Sequence, residues 1–331
     1  MNSEARQPAR EFKFCDQKPA VPDIRQEVID GLSKNSKTLS PKYFYDELGS
    51  RLFEQITRLD EYYPTRTEIS ILRANHDAIA QAVSQGVCLV EYGSGSSEKI
   101  RILLEACRPV AYVPVDISKD HLLASARQIF DDFDWLSVYP TCADYSQPFS
   151  LPGEVDGLSR VAFFPGSSIG NFEPDRARDF LAGVASVVGA DGYLLIGVDA
   201  KKAPEILNRA YNDDAGVTRA FNLNLLTHLN EAVGTDFDIT QFDHAARYDV
   251  ELGRVEMHLV SLTEQRVSVN GRDFFLAAGE QIHTENSYKY DVDEFVALAD
   301  SAGFACCQTW RDENDYFMVL LLQASSRSER L

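Results

Sequence analysis

Two stretches of the chain carry side chains whose types and spacing suit chemistry. The first is Glu280–Tyr290, EQIHTENSYKY, which reads as a β-strand with an unusually polar face. Strand side chains alternate with period two, so Gln281, His283, Glu285 and Ser287 are expected on one side, with Glu285 and Ser287 ~7 Å apart. Such a face either meets solvent or lines a polar pocket.

The second stretch is Glu91–Glu98, EYGSGSSE, a Gly-x-Gly turn between an apolar strand and a helix. Glycine tolerates positive φ and lets the backbone approach a ligand closely at the carboxyl edge of a sheet. The dinucleotide pattern G-x-G-x-x-G needs glycine at position 98, where Glu98 stands. A carboxylate at that helix start repels a pyrophosphate, so a cofactor without phosphates fits better. S-adenosylmethionine, a sulfonium with an amino-acid tail, is one. Asp116 closes the next strand in VPVDIS, where an acid can accept from both ribose hydroxyls. Asp144, in CADY after the third strand, sits where such folds contact an adenine amino group. Each also has a plainer reading. The turn could be a tight connection and Asp116 a helix-start acid, with Ser118 capping that helix.

The elements that must position these residues follow from periodicity. Helices are expected over 23–34 and 45–59. A T-x-x-E capping box, Thr65 and Glu68, should open a third helix running to about Ser84. From Val87, the runs VCLVEY, VAYVPVD, LSVYPTC, RVAFFPG and YLLIGVD alternate with helical segments, the signature of a parallel sheet covered on both faces. Between about Ala200 and Tyr290 the alternation stops. Two helices, 204–211 and 214–233, precede strands near 245–252, 254–263, 266–269 and 272–276, with Asn270-Gly271 as a two-residue hairpin turn. A helix over 292–302 and strands 304–310 and 316–323 complete the chain, the last two antiparallel across Asp312–Asp315.

The expected fold class is α/β: a Rossmann-type, doubly wound methyltransferase sheet with one antiparallel strand. A second, α+β substrate-binding domain is formed by the N-terminal helices and an inserted antiparallel sheet. The boundaries are 63–199 and 289–325 for the cofactor domain, 23–62 and 200–288 for the substrate domain, and 1–22 for a flexible leader.

Composition narrows the class. The 331 residues are 44% hydrophobic, enough for a substantial core. A net charge of −19 argues against a nucleic-acid surface. No apolar run suits a signal peptide or a membrane span, so a cytoplasmic protein without membrane or nucleic-acid partners is expected, a monomer acting on a small molecule. The six cysteines show no metal or disulfide spacing, and the six histidines form no motif, so no metal site is expected. His283 is the histidine placed on the face of Glu285.

PKYFYDELGSRLFEQITRLDEYYPTRTEISIL, EYGSGSSEK, FPGSSIGN, RAYNDDAGVTRAFN, RVEMHL and TENSYK, in this order, resemble the histidine Nα-methyltransferases of ergothioneine biosynthesis. The likeness runs from about Pro41 to Gln323. It implies a cofactor site at Gly93, Lys99, Asp116 and Asp144, carboxylate ligands at Asn171 and Tyr211, and a backbone contact at Gly166. It also implies Tyr45 near the amine, Tyr62 on the imidazole side, and Met257, Glu285 and Ser287 reading the ring. Tyr45 and Asn171 are the implied catalytic pair. Pro165, Asn286, Tyr288 and Tyr92 depart from the family's pattern.

The implied reaction is trimethylation of L-histidine to hercynine. Methyl transfer to an amine is a direct displacement that needs positioning and desolvation rather than a nucleophilic side chain, consistent with the lack of a Ser/His/Asp or Cys/His motif. Taken alone, Asn171 also reads as a turn residue, Tyr211 as helix packing and Met257 as core. Alternatives are an enzyme of the same fold acting on another amino acid, a non-catalytic S-adenosylmethionine-binding regulator, and, more remotely, a nicotinamide-linked oxidoreductase.

Overall fold

A computed structural model of the chain describes residues 10–19, 23–83, 85–94 and 97–325. Gly95 of the glycine turn and much of the leader lie outside the described residues. Among the described residues the main sheet has nine strands. Across it run Cys15–Asp16, Thr141–Cys142, Ala111–Asp116, Cys88–Tyr92, Arg160–Phe164, Tyr193–Asp199, Phe317–Ala324 and Phe304–Arg311, with Ser137–Val138 pairing off the path. Phe317–Ala324 runs antiparallel to both neighbours, the one reversed strand. Strand order reverses between Cys88–Tyr92 and Arg160–Phe164, and ligands of open α/β sheets bind outside the carboxyl ends at such a switch point. Apolar clusters cover both faces of this sheet, as the runs of Val, Leu and Phe require.

A second sheet holds Lys37–Thr38, Gln281–Tyr288, Arg254–Ser261 and Phe242–Asp249. Its apolar face, with Val255, Leu259 and Ile282, packs in one core with Val28 and Leu32 of the first helix and with Phe221 and Leu225 of the helix Val217–Val233. Gln265–Val269 and Arg272–Leu276 form a separate hairpin, turned through Asn270 and Gly271, both at positive φ (50° and 78°). No helix among the described residues is long and apolar enough to cross a membrane.

Several expectations change. Residues 11–17 are not a loose leader: the amides of Lys13, Cys15 and Gln17 donate to Val138, Pro140 and Cys142, adding a parallel edge strand to the sheet. The Thr65/Glu68 capping box does not form. Pro64 opens that helix with Tyr63 at its N-cap, and Glu68, fully buried, pairs with Lys99 at 2.5 Å. Ser118 makes no side-chain cap; instead its amide donates to Asp116 Oδ1 at 2.8 Å. The helix expected over 45–59 is shorter, Glu47–Ile56, because Asp46 caps it by accepting from the Gly49 amide at 2.6 Å. That leaves Tyr45 outside the helix. The helix expected from Asp214 starts at Val217, where the carboxylate of Asp213 accepts from the amides of Val217 and Thr218. The strand expected over 245–252 is Phe242–Asp249, since Asp249 turns the chain by accepting from Glu251 and Leu252.

Candidate active site

All eight residues expected to touch the substrate line one pocket: Tyr45, Tyr62, Gly166, Asn171, Tyr211, Met257, Glu285 and Ser287. They come from both ends of the chain. One wall is aromatic, with Tyr45, Phe53, Tyr62 and Tyr211 meeting edge to face at centroid separations of 5.9, 6.3 and 6.3 Å. Tyr45 keeps 46% of its surface accessible but holds its hydroxyl inside, where burial and then Glu285 push its pKa up; Tyr62 and Tyr211 are buried. The opposite wall is the turn after the strand Arg160–Phe164, where Gly166 (φ 79°) and Ser167 (φ 58°) both take left-handed backbone. A non-glycine residue there stores strain, and Ser167 is held by accepting from the Asp199 amide at 2.9 Å. Gly170 sits so close to the second sheet that a Cβ would lie 2.6 Å from the carbonyl oxygen of Tyr288. This contact brings Asn171 to Glu285, and its amide donates to Glu285 Oε1 at 2.9 Å.

The polar strand face is not the one that simple alternation gives. Met257 pairs with Glu285 but His258 pairs with His283, so the register slips there and Thr284 is the extra residue of a bulge. Glu285 and Ser287 therefore share a face with Met257 and Ile282, turned into the pocket. His283 falls on the opposite face, beside His258 (ring centroids 5.1 Å apart) and bonded through Nε2 to Asn286 Oδ1 at 2.8 Å. It does not line this pocket but a neighbouring one, with Thr38, Tyr43 and Asn286. Thr284 fixes the bulge with its Oγ1, whose one proton is shared between Asn222 Oδ1 (2.9 Å) and the carbonyl of Met257 (3.1 Å). Asn286 and Tyr288 also face away, both donating to Glu173.

Beneath the pocket lies a buried charge network. Lys289, two residues past Ser287 and on the same face, donates to Ser287 Oγ (2.7 Å) and Tyr211 Oη (3.0 Å), and pairs with Asp199 Oδ2 (2.8 Å). Tyr211 in turn donates to Ser287 at 2.8 Å. Asp199 also accepts from Tyr63 (2.8 Å) and Lys202 (2.6 Å). Burial raises the pKa of Asp199, but Lys289 and Lys202 outweigh it and hold the carboxyl below its usual range. Burial depresses Lys289, but Asp199 and Tyr211 reverse this and raise it. Lys202 is pushed down to about 8, because burial and the like charge of Lys289 exceed its gain from Asp199. Glu285 is pushed up to about 7 by burial, against the pull of Lys289 and the Asn171 hydrogen bond.

The cofactor end is built at the switch point. Gly93 has φ 72°, and among the described residues a Cβ there would meet only Tyr145, leaving a cradle beside Asp116 and the loop of Asp144. Asp144 shapes that loop by accepting from the amide and hydroxyl of Ser146. A neutral nucleoside, whose ribose hydroxyls and adenine amino group donate, fits these two acceptors at strand ends. Tyr92 is buried under the turn among Tyr145, Phe149, Phe164 and Phe180, so its departure from the family pattern is an aromatic packing choice. Lys99 pairs with Glu68, whose carboxylate also accepts from the Gly166 amide at 2.9 Å. Its place is to brace the Gly166 turn from behind. Among the described residues no group of three or more histidine, cysteine or acidic side chains could hold a metal ion.

A family model for SAM-dependent, histidine-specific methyltransferases matches residues 24–324. The chain belongs to this family. It is similar to a histidine N-alpha-methyltransferase of Mycobacterium tuberculosis, 40% identical over 90% of this chain and 94% of that one. It is also similar to ergothioneine biosynthesis protein 1 of Neurospora crassa, 32% identical over 85% of this chain but 32% of that longer one. Among solved structures, an S-adenosylmethionine-dependent methyltransferase from Clostridium acetobutylicum aligns over 84% of this chain and 98% of that one, with 11% identity and a TM-score of 0.46. As a member of the histidine-specific family, the protein is an S-adenosylmethionine-dependent methyltransferase. Sequence reasoning missed Lys289 and Asp199. Period two places Lys289 on the face of Glu285 and Ser287, and Asp199 ends YLLIGVD, so both signals were present.

Proposed function

We propose that the protein transfers three methyl groups from S-adenosylmethionine to the α-amine of L-histidine, giving hercynine, the first step of ergothioneine formation. The observation that carries this reading is the pairing of Glu285 and Ser287 on one inward strand face beside Met257. A carboxylate and a hydroxyl can meet the two nitrogens of an imidazole, and the methionine closes the apolar side of the ring. A ligand with an apolar ring would leave a buried Glu285 without a partner other than Asn171, which disfavours other amino acids.

The division of labour follows from the chain's own residues. Gly93, Asp116 and Asp144 hold the cofactor, and Asn171 and Tyr211 line the carboxylate end of the substrate. The Asn171 amide donates to Glu285 Oε1 at 2.9 Å, and the second proton of that NH2 is available to the carboxylate. Tyr45, whose hydroxyl is buried in the pocket near Glu285, orients the amine. S-adenosylmethionine, when bound, supplies a methyl carbon made electrophilic by the adjacent sulfonium. The amine gains carbon at each round, so its surroundings must accept a growing ammonium, and aromatic and hydroxyl contacts suit that better than a carboxylate clamp. The residues divide between a cofactor domain, 63–199 with 289–325, and a substrate domain, 23–62 with 200–288.

The test is a panel of free amino acids incubated with enzyme and S-adenosylmethionine and read by product mass. Histidine is expected to gain three methyl groups. Methylation of another amino acid with histidine inert would overturn the proposal.

A further inference from the structure

Residues 221–226 of the helix Val217–Val233 are all buried, and among their leucines stand two asparagines, Asn222 and Asn224, 0% and 4% exposed. Leucine at either place would bury more apolar surface, and a buried amide costs stability unless it is bonded. Packing alone does not call for them. Two residues apart on a helix, they project about 200° from one another, toward opposite neighbours.

Asn222 faces the second sheet. Its carbonyl accepts from Thr284 Oγ1 at 2.9 Å, and its amide lies 3.0 Å from the His258 carbonyl and 2.8 Å from His244 Nδ1. His244 Nε2 in turn lies 2.8 Å from the carbonyl of Tyr211. A carbonyl only accepts, so Nε2 carries the proton and Nδ1 is the bare nitrogen that accepts from Asn222. Asn222 thus ties the bulge that turns Glu285 inward to the end of the helix Pro204–Tyr211. The tie runs through the Tyr211 backbone and makes no use of its hydroxyl.

Asn224 faces the N-terminal segment. Its amide donates to Asp46 Oδ1 at 2.7 Å, the same oxygen that accepts from the Gly49 amide to cap the helix Glu47–Ile56. Asp46 follows Tyr45, whose ring meets Phe221 of the central helix edge to face at 5.8 Å. Tyr45 is therefore placed against that helix twice, by a neighbouring carboxylate and by its own ring.

We propose that Asn222 and Asn224 are positioning residues through which one helix holds the ring-reading side of the pocket, at Glu285, and the amine side, at Tyr45, at a fixed spacing. The inference rests on the histidine reading, because it needs those two ends to do different things. Ring contacts are made in the ground state and kept in the transition state, so their loss appears in KM. Orientation of the attacking nitrogen counts at the transition state, so its loss appears in kcat.

The experiment measures kcat and KM for L-histidine at saturating S-adenosylmethionine, well below the melting temperature of each variant. Asn224→Leu is expected to lower kcat by at least about tenfold with KM nearly unchanged, since a small misplacement of reacting atoms can cost that much. Asp46→Ser keeps a helix cap but ends one bond short of Asn224, and should give the same fall. The two changes combined should be no worse than either alone, because they cut one bond. Asn222→Leu should instead raise KM by at least about tenfold with kcat less affected. His244→Leu cuts the same chain at a less buried link and should move KM the same way, so it carries the test should Asn222→Leu fail to fold.

Variants that melt earlier but keep wild-type kcat and KM would make both asparagines packing residues and overturn the proposal. The same mixture of kcat and KM losses from both sites would overturn it too. A wild-type protein that leaves histidine unmethylated would overturn the substrate reading, and this inference with it.

Discussion

At the scale of single residues, Glu285 carries the discrimination. Its carboxylate is buried, shared with Asn171, and pushed up to about 7, so a modest fall in pH neutralises it. Histidine methylation should accordingly decline as pH falls through about 7, because the protonated form cannot accept a ring N–H at the same oxygen. The sign follows from the acid: ionised above that pH, neutral below it. A pH profile of kcat/KM checks this, and a profile level down to pH 5 would remove Glu285 from recognition. Glu285→Ala should raise KM for histidine at least tenfold, from the loss of about 1.5–3 kcal/mol of charge-assisted hydrogen bonding. An unchanged KM would place the ring elsewhere.

At the scale of elements, two devices aim these residues, and they differ in how far the chain announces them. The Thr284 bulge was not readable, since nothing in HTENS distinguishes an extra residue from regular alternation until its cross-strand partner is known. Regular alternation puts His283 on the face of Glu285, whereas the bulge turns it to the opposite face and leaves Glu285 and Ser287 together. Thr284→Val should destabilise the protein by about 1–3 kcal/mol, because it strips the buried Asn222 carbonyl of its donor. Chemical denaturation measures this, and a loss below 0.5 kcal/mol would mean the bulge does not depend on the hydroxyl. Gly170→Ala presses a methyl group against the Tyr288 carbonyl. It should lower both melting temperature and histidine affinity, whereas a fall in stability with affinity intact would separate the turn from the site. The capping residues failed for a related reason. Glu68 looked like a local cap, but its partners, Lys99 and the Gly166 amide, lie far away in sequence.

At the scale of the whole molecule, the strand-and-helix alternation from Val87 onward made the main sheet and its reversed strand legible, and family motifs gathered the eight pocket residues. Less legible was what joins distant segments. The strand at Cys15–Asp16 is too short to show a period, yet it covers the edge at Thr141–Cys142 just before Asp144. Removing residues 1–17 should therefore lower the melting temperature and weaken S-adenosylmethionine binding, as calorimetry would show; unchanged cofactor affinity would detach that edge from the cofactor loop. The charge network under the pocket likewise joins the end of a main-sheet strand to the end of a second-sheet strand, through Asp199 and Lys289. The account centres on one polar strand face reading an imidazole. An experimental structure with L-histidine and S-adenosylhomocysteine tests it most directly: the ring nitrogens should lie within hydrogen-bond distance of Glu285 and Ser287, and a ring bound away from that pair would contradict it.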